Sequence, residues 1–316
     1  MFDFALYREV LAIGVDEKLP PTVKTLNTLV EQHALHIPYQ NSDIFARHKI
    51  SLDLPSLTHR LLAKKQGGNC YESVELLFHA LRYLKFDVQR VAAYPLNGHD
   101  FNPDVPSTHM VLAVTLDEKT YLVDPSYGYN SLRSPVLLSS EVGEYEWSDK
   151  GDRYRLRVST EHMELDLHAK DAWFSLYRIN QPVETLTAKQ AQQACTRLIT
   201  GHFPCPVRDL YLKFGVLTTK GRIGLQVHPH ATPFFGVLRR IHGGQVETTK
   251  LANCDEAYTT ARATFPSVNL RALYAVTTAG KAATTRRRWM IMACTVGMWL
   301  LGNVRKSARP GLSLSP

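Results

Sequence analysis

The sequence predicts an α+β protein in which helices come first and strands follow. Residues 1–85 show apolar side chains at helical spacing, residues 86–200 are rich in β-prone runs, and residues 201–280 mix strands with a late helix. The chain has 316 residues, 44% of them hydrophobic and 21% charged, which is enough for two or three domains with real cores. We find no internal repeat.

Each region contains segments whose pattern predicts a particular element. Helical spacing predicts helices at 23–35, 70–85, 186–198 and 255–263. Apolar, β-branched or alternating runs predict strands at 88–94, 110–116, 120–123, 154–159, 163–167, 221–227 and 234–238. Asp117, Glu118 and Lys119 have the composition of a turn between two of these strands, and Pro125 ends the second.

Cys70 is the first candidate functional residue, because it begins the helix predicted at 70–85. Two glycines precede it and permit a tight turn, Asn69 is a good N-cap, and Glu72 completes a pair resembling a capping box. In the first turn of a helix the free N–H groups and the helix dipole favour an anion, so we expect the thiolate to be stabilised. The alternative is a buried structural cysteine, the commonest fate of a free thiol.

His109 and Asp124 are the candidate partners of this thiol. His109 opens one predicted strand and Asp124 closes the next, so a hairpin places both near one end of the ladder, although not directly opposite each other. If the gap closes, Asp124 holds the imidazole in the tautomer that accepts the thiol proton. Each residue alone is better explained as a strand histidine or a turn aspartate. Together, in this order, the three predict an activated cysteine nucleophile.

Several segments resemble the arylamine N-acetyltransferase family. They are Ile37-Pro38-Tyr39-Gln40-Asn41, Gly67-Gly68-Asn69-Cys70, Thr108-His109-Met110-Val111-Leu112, Val123-Asp124-Pro125-Ser126-Tyr127-Gly128 and, more weakly, Trp173-Phe174-Ser175-Leu176-Tyr177. The resemblance covers roughly residues 5–180. It implies a catalytic triad of Cys70, His109 and Asp124, with a ping-pong transfer from acetyl-coenzyme A to an aromatic amine, hydroxylamine or hydrazine. Acetyl-coenzyme A is then a co-substrate, and no permanently bound cofactor or metal is expected.

The resemblance also implies the division of the chain. We expect a helical domain over 1–85 that carries Cys70, a β-barrel over 86–200 that carries the other two triad residues, and an α/β lid over 201–280. Residues 281–316 would form a basic and apolar tail outside these domains. The core of such a fold resembles that of a cysteine protease.

Three positions depart from the family pattern. Gln66 stands where an arginine is usual, and Gln40 stands where a glutamate is usual. If those two residues normally form an ion pair, both ends are neutral here, and at most a hydrogen bond between the two glutamines would replace it. Tyr127 stands where phenylalanine is usual, and its added hydroxyl in the acceptor pocket would alter the preference for amines, so Tyr127 is a candidate substrate contact.

Composition narrows the class of protein. The five cysteines are widely spaced and form no CxxC pair, and the N-terminus shows no secretory pattern, so we expect a reducing, cytoplasmic location. The net charge is +8, but residues 281–316 contribute seven of these charges, which argues against a nucleic-acid footprint on the body. The apolar run at 289–304 is slightly short for a bilayer span, so docking or disorder is favoured over membrane contact.

Other tempting sites are given little weight. His228 and His230 flank a proline, and His33 and His36 lie on adjacent turns of one helix, but without acid or cysteine partners such histidines are usually surface residues rather than metal ligands. The pair Gly243-Gly244 lacks the lysine of a phosphate loop and is predicted to be a turn.

Two alternatives to arylamine acetylation stay open. The first is an amide synthase of the same fold that takes a longer acyl thioester, which the depth of the acyl pocket would decide. The second is a non-catalytic binding protein that kept the fold. An intact set of three candidate catalytic residues argues against the second. The oligomeric state is not predicted.

Overall fold

A computed structural model describes residues 2–169, 172–242, 245–271 and 273–275. The α-helices are α1 (Phe4–Val10), α2 (Val23–His36), α3 (Ser42–Phe45), α4 (Leu54–Leu57), α5 (Cys70–Tyr83), α6 (Ala188–Thr200), α7 (Pro206–Asp209) and α8 (Cys254–Thr264). A π-helical turn spans Thr58–Ala63 and a 3-10 turn spans Gly128–Asn130.

Fourteen strands lie in the described part of the chain. They are β1 (Tyr39–Gln40), β2 (Asp87–Pro95), β3 (His109–Leu116), β4 (Lys119–Val123), β5 (Val136–Leu137), β6 (Gly143–Asp149), β7 (Asp152–Val158), β8 (His162–Ala169), β9 (Ala172–Asn180), β10 (Thr185–Leu186), β11 (Leu212–Thr218), β12 (Gly221–His228), β13 (Phe235–His242) and β14 (Gln245–Leu251). Separate helical and antiparallel sheet regions confirm the predicted α+β class.

The N-terminal helices share one hydrophobic core. Leu26, Leu29 and Leu77 are fully buried in it, and α5 lies at its centre with ten buried residues. Helix α6 follows the central strands in sequence, yet its apolar face, including Leu198, belongs to the same core. The chain therefore returns to the helical region before it enters the last sheet.

The central sheet is antiparallel and curls into a half-barrel. Its order is β5-β4-β3-β2-β9-β8-β7-β6, with β10 paired to β2, so the described strands end in two edges rather than closing into the predicted barrel. Strand β2 joins the halves because it pairs with β3 along most of its length and with β9 through Tyr94 and Pro95. Alternate residues, such as Leu156 and Val158, fill a second core.

The C-terminal sheet has the order β1-β11-β12-β13-β14, and α8 packs against it. Its edge strand β1 comes from the helical region, with Tyr39 opposite Gly215 and Gln40 opposite Phe214. This pairing joins the first and last parts of the protein beside α5.

Most predicted elements are present with shifted ends. Helix α5 ends at Tyr83 rather than residue 85, because Lys85 adopts the left-handed conformation with φ of 67°. No sequence pattern predicted α1, the short helices, or the strands β1, β5, β6, β9, β10, β11 and β14. The predicted turn at Gly243-Gly244 and the tail at 281–316, with its apolar run, lie outside the described residues.

Candidate active site

The start of α5 has the predicted capping box. The Asn69 side-chain oxygen accepts a hydrogen bond from the backbone N–H of Tyr71 at 2.8 Å, and Glu72 Oε2 accepts one from the backbone N–H of Asn69 at 3.1 Å. These bonds fix the direction in which the helix begins. They therefore fix the position of Cys70 in its first turn, where the remaining N–H groups favour an anion.

The two glycines before Cys70 make room for the segment that carries β1. Gly67 has a φ of 68°, and a Cβ atom on it would lie 2.5 Å from the carbonyl oxygen of Pro38. The N–H of Gly68 donates to that same oxygen at 3.0 Å, and its carbonyl accepts from the N–H of Gln40 at 2.9 Å. Close backbone approach, as expected for paired glycines, thus places Tyr39 next to the turn that carries Cys70.

His109 and Asp124 meet just beyond the end of the β3–β4 ladder. The ladder's last pair is Leu112 with Val123. His109 Nε2 lies 2.9 Å from Asp124 Oδ2, and the backbone N–H of Ser126 donates to the other carboxylate oxygen at 3.1 Å. Side-chain reach therefore closes the gap expected from the register. Since Asp124 occupies Nε2, Nδ1 is the nitrogen left for a thiol.

The electrostatics of this pair favour an imidazolium. Burial lowers the pKa of His109, but the Asp124 carboxylate and hydrogen bonds with Asp124 and Cys70 outweigh burial and raise it to about 10. Both partners are almost completely shielded from solvent, with side-chain exposures of 2% and 0%. In such surroundings a charge pair is much stronger than in water, so Asp124 controls the charge of the ring.

Cys70 faces a cavity of about 230 Å³. The thiol lies 3.9 Å from the carbonyl oxygen of Thr108 and is 6% exposed. The cavity also opens onto His109, Tyr127, Tyr39 and the loop between β2 and β3. The structure therefore brings the three residues predicted from sequence together, with Cys70 and His109 at the wall of an open space and Asp124 buried behind His109.

Tyr127 lines this cavity, and its hydroxyl is hydrogen-bonded within the protein. Its ring meets the His109 imidazole edge to face, with centroids 4.9 Å apart. The hydroxyl donates to the carbonyl oxygen of Leu176 at 2.6 Å and lies 3.0 Å from Asn97 Oδ1. The hydroxyl is therefore already engaged by Leu176, and a contact of Tyr127 with an acceptor stays a prediction.

A family model described as N-acetyltransferase matches residues 22–266, more than half of the chain. This chain belongs to the arylamine N-acetyltransferase family. Over 184 residues it is 28% identical to the arylamine N-acetyltransferase / N-hydroxyarylamine O-acetyltransferase of Salmonella typhimurium, covering 58% of this chain and 63% of the relative. Over 169 residues it is 30% identical to the arylamine N-acetyltransferase of Mycolicibacterium smegmatis, covering 52% and 60%. These aligned segments span somewhat less than two thirds of each relative's length.

Solved structures of arylamine N-acetyltransferases share the fold over most of the chain. The enzyme from Mycobacterium abscessus matches with a TM-score of 0.75 at 22% identity, covering 89% of this chain and 96% of that one. The Mycobacterium marinum enzyme in complex with CoA matches with a TM-score of 0.71 at 22% identity, covering 87% and 98%.

This member of the family places a buried ion cluster elsewhere than expected. Gln40 and Gln66 do not hydrogen-bond each other within the described residues; Gln40 Oε1 instead accepts from the N–H of Ser42 at 2.6 Å. The cation comes from Arg60 on the π-helical turn, 2.6 Å from Asp43 and 2.9 Å from Glu72. The expectation that at most a hydrogen bond links the two glutamines thus holds in its limiting form, because the described residues show no bond between them.

The cluster of Arg60, Asp43 and Glu72 stabilises the capping box, because Glu72 belongs to both. Glu72 is fully buried, and burial raises its pKa to about 7 even though Arg60 lowers it. The same carboxylate accepts the hydrogen bond from Asn69. Arg60 is thus a positioning residue for the turn that carries Cys70. No sequence signal marked it, because its partners are 12 to 17 positions away and its turn is irregular.

Asn41 and Lys213 are further residues at the site that the sequence did not reveal. The buried Asn41 side chain donates to the carbonyl oxygens of Val207 and Tyr211 and accepts from the backbone N–H of Lys213 at 2.6 Å. Asn41 belongs to the motif that resembles the family, and these long-range hydrogen bonds explain why an asparagine is needed at this position.

Two histidines expected at the surface are buried. His33 is held between Tyr7 Oη at 3.0 Å and Ser73 Oγ at 2.9 Å, and burial lowers its pKa to about 3. His228 contacts the rings of Tyr211 and Phe235, and burial lowers its pKa to about 4. Both are therefore neutral core residues. Over the described ranges no cluster of three potential metal ligands occurs, and no helix there is long and apolar enough to cross a bilayer.

Proposed function

We propose that this arylamine N-acetyltransferase moves an acetyl group from acetyl-coenzyme A to an aromatic amine, hydroxylamine or hydrazine through an acetyl-Cys70 intermediate. The observation that carries the proposal is the chain of contacts from Cys70 to His109 to Asp124 at the wall of the cavity. The names of the relatives and the CoA complex of a structural neighbour support the choice of donor and acceptor.

In the resting site His109 Nδ1 already holds the proton of the Cys70 thiol as part of an imidazolium, so in the first half-reaction the thiolate sulfur attacks the carbonyl carbon of the donor thioester. The carbon–sulfur bond to coenzyme A then breaks, and its sulfur takes the proton from His109. Asp124 stays ionised and stabilises the imidazolium throughout.

In the second half-reaction the nitrogen of the acceptor attacks the acetyl carbon on Cys70. His109 accepts the proton that the nitrogen loses, and the carbon–sulfur bond to Cys70 breaks, which restores the thiolate beside the imidazolium. Cavities of about 150 Å³ are known to admit benzene. A cavity of about 230 Å³ therefore has room for a single aromatic ring beside a short acyl group.

The surrounding regions also receive proposed roles. The C-terminal sheet with α8, which contributes Lys213 and the neighbouring Tyr211 to the cavity, acts as the lid. Cys70, Cys195, Cys205 and Cys254 are free thiols, which suits a reducing, cytoplasmic compartment.

Steady-state kinetics with varied donor and acceptor test the proposal. We expect parallel lines in double-reciprocal plots with acetyl-coenzyme A and an arylamine or arylhydrazine, and no turnover in Cys70→Ala. Cys195→Ala is the matched control, because Cys195 is a buried thiol outside the cavity. Turnover only with longer acyl thioesters would favour an amide synthase, and no acyl transfer from any thioester would favour a binding protein.

A further inference from the structure

Lys213 is the lysine among the residues that line the cavity beside Cys70, and the mechanism does not use it. It lies on β11, and its backbone N–H is anchored by Asn41 as described above. Its side chain is half-buried and lines the same cavity as Cys70. Its position is therefore fixed by the backbone, while its ammonium group is directed at the substrate space.

The Lys213 ammonium is surrounded by aromatic rings rather than by carboxylates. Its Nζ lies 5.1 Å from the ring centroid of Tyr129, 5.8 Å from that of Tyr127 and 6.0 Å from that of Tyr39. Across the described ranges no acidic side chain forms an ion pair with it, and its Nζ has no hydrogen-bond acceptor there. Three ring faces compensate only part of the charge.

Gly128 keeps the space beside this group open. A Cβ atom there would lie 2.7 Å from Lys213 Cε and 2.9 Å from its Nζ. Gly128 also has a φ of 67°, which other residues rarely adopt. Gly128 thus leaves room for the Lys213 ammonium, and as a glycine it offers that ammonium no anionic side chain.

In the described part of the chain, the Lys213 ammonium lacks a carboxylate partner that would balance its charge. Burial lowers the pKa of Lys213 to about 8, although the neighbouring Cys70 raises it. The group still carries a proton at pH 7, so a half-buried charge faces the cavity, and no carboxylate among the described residues pairs with it. An anion supplied by a ligand would form a charge-assisted hydrogen bond there and recover the missing interaction.

We propose that Lys213 determines acceptor specificity by binding a carboxylate carried on the ring of the aromatic amine or hydrazine. The flat ring would pack against Tyr127 while the carboxylate meets the ammonium and the amino group points toward acetyl-Cys70. This inference rests on the proposed function, since it concerns the second substrate of the same reaction.

The phosphates of coenzyme A are a different source of negative charge. The Lys213 ammonium lies over the ring of Tyr127, and that ring contacts the His109 imidazole. Only the Tyr127 ring therefore stands between the ammonium and the imidazole. In the donor, the whole pantetheine arm separates the phosphates from the thioester that must reach Cys70. A lysine this near the thiol therefore suits the short acceptor better than the distant phosphates.

The test compares 4-aminobenzoate with its neutral amide, 4-aminobenzamide, at pH 7 in the full-length protein. We expect Lys213→Met to lower the kcat/KM ratio of carboxylate to amide by about tenfold to a hundredfold, the usual effect of losing a charged hydrogen bond. Lys213→Arg should keep most of the ratio. Lys250→Met is the matched control, because Lys250 is exposed on β14 of the same sheet.

A second measurement separates acceptor from donor. Acetylation of Cys70 by acetyl-coenzyme A without acceptor is timed for the wild type and Lys213→Met. An unchanged ratio of the two acceptors would overturn the proposal, and a slowed first half-reaction with that unchanged ratio would assign Lys213 to the donor. If Lys213→Met fails to fold, Lys213→Gln gives the same comparison. Failure of the wild type to acetylate Cys70 at all would instead refute the proposed function.

Discussion

Replacing Asp124 by asparagine should remove the positive charge of His109 and with it a large, pH-dependent part of the stability. In the wild type burial lowers the pKa of His109, but Asp124 outweighs burial and raises the pKa from 6.5 to about 10. Each pKa unit is worth about 1.4 kcal/mol, so the pair contributes on the order of 5 kcal/mol below pH 6.5. In Asp124→Asn burial prevails, and the ring stays neutral at pH 7.

The sign of the pH dependence follows from the direction of the shift. A raised pKa binds a proton more tightly in the folded state, so this contribution is complete below pH 6.5 and disappears as the pH rises through about 10. The free energy of unfolding of the wild type should therefore exceed that of Asp124→Asn most at pH 6, and the difference should shrink steadily toward pH 10.

Urea denaturation from pH 6 to pH 10 measures this difference directly. Asp166→Asn is the matched control, because Asp166 is fully buried but pairs with Arg155 and Arg157 rather than with a histidine. Its destabilisation should not vary with pH in this window. A pH-independent difference for Asp124→Asn would refute the reasoning. Acetyl transfer by Asp124→Asn should also fall by about 10³- to 10⁴-fold, as for other nucleophiles activated through a buried aspartate.

Three further variants test the supports of the site. Arg60→Met leaves buried Glu72 and Asp43 without a cation, so unfolding in urea should need about 3–5 kcal/mol less, and an effect below 1 kcal/mol would contradict the ion cluster. Gly67→Ala forces a Cβ against the Pro38 carbonyl at positive φ, which should cost more than about 1 kcal/mol and slow Cys70 acetylation, whereas Gly14→Ala, in open space, should do neither. Tyr127→Phe removes the bond to Leu176 and should cost about 1 kcal/mol while keeping the order of preference among amines; a reordered preference would show that the hydroxyl contacts the acceptor.

The sequence predicted how Cys70, His109 and Asp124 are placed because the signals for that placement are local. The spacing of apolar residues identified α5, and Asn69 and Glu72 identified its start. The order of His109 and Asp124 in a hairpin limited them to one end of a ladder, and side-chain reach completed the contact. These inferences needed only helical periodicity, capping chemistry and strand register.

The surroundings of the thiol could not be predicted, because they depend on contacts between distant segments. Asn41 reaches Val207 and Tyr211, more than 160 positions away, and β1 pairs with β11 across a similar separation. No local pattern marks a two-residue strand or the lysine that such a contact positions. The burial of His33 depends in the same way on Tyr7 and Ser73, which approach it from two other helices.

Mass spectrometry after incubation with acetyl-coenzyme A alone tests the central claim most directly. We predict that the intact protein gains one acetyl group, that the group maps to the peptide containing Cys70, and that an arylamine or arylhydrazine removes it. Cys70→Ala should gain none, and Cys195→Ala should behave as the wild type. No acetylation of the wild type, or acetylation that persists in Cys70→Ala, would contradict the role assigned to this thiol.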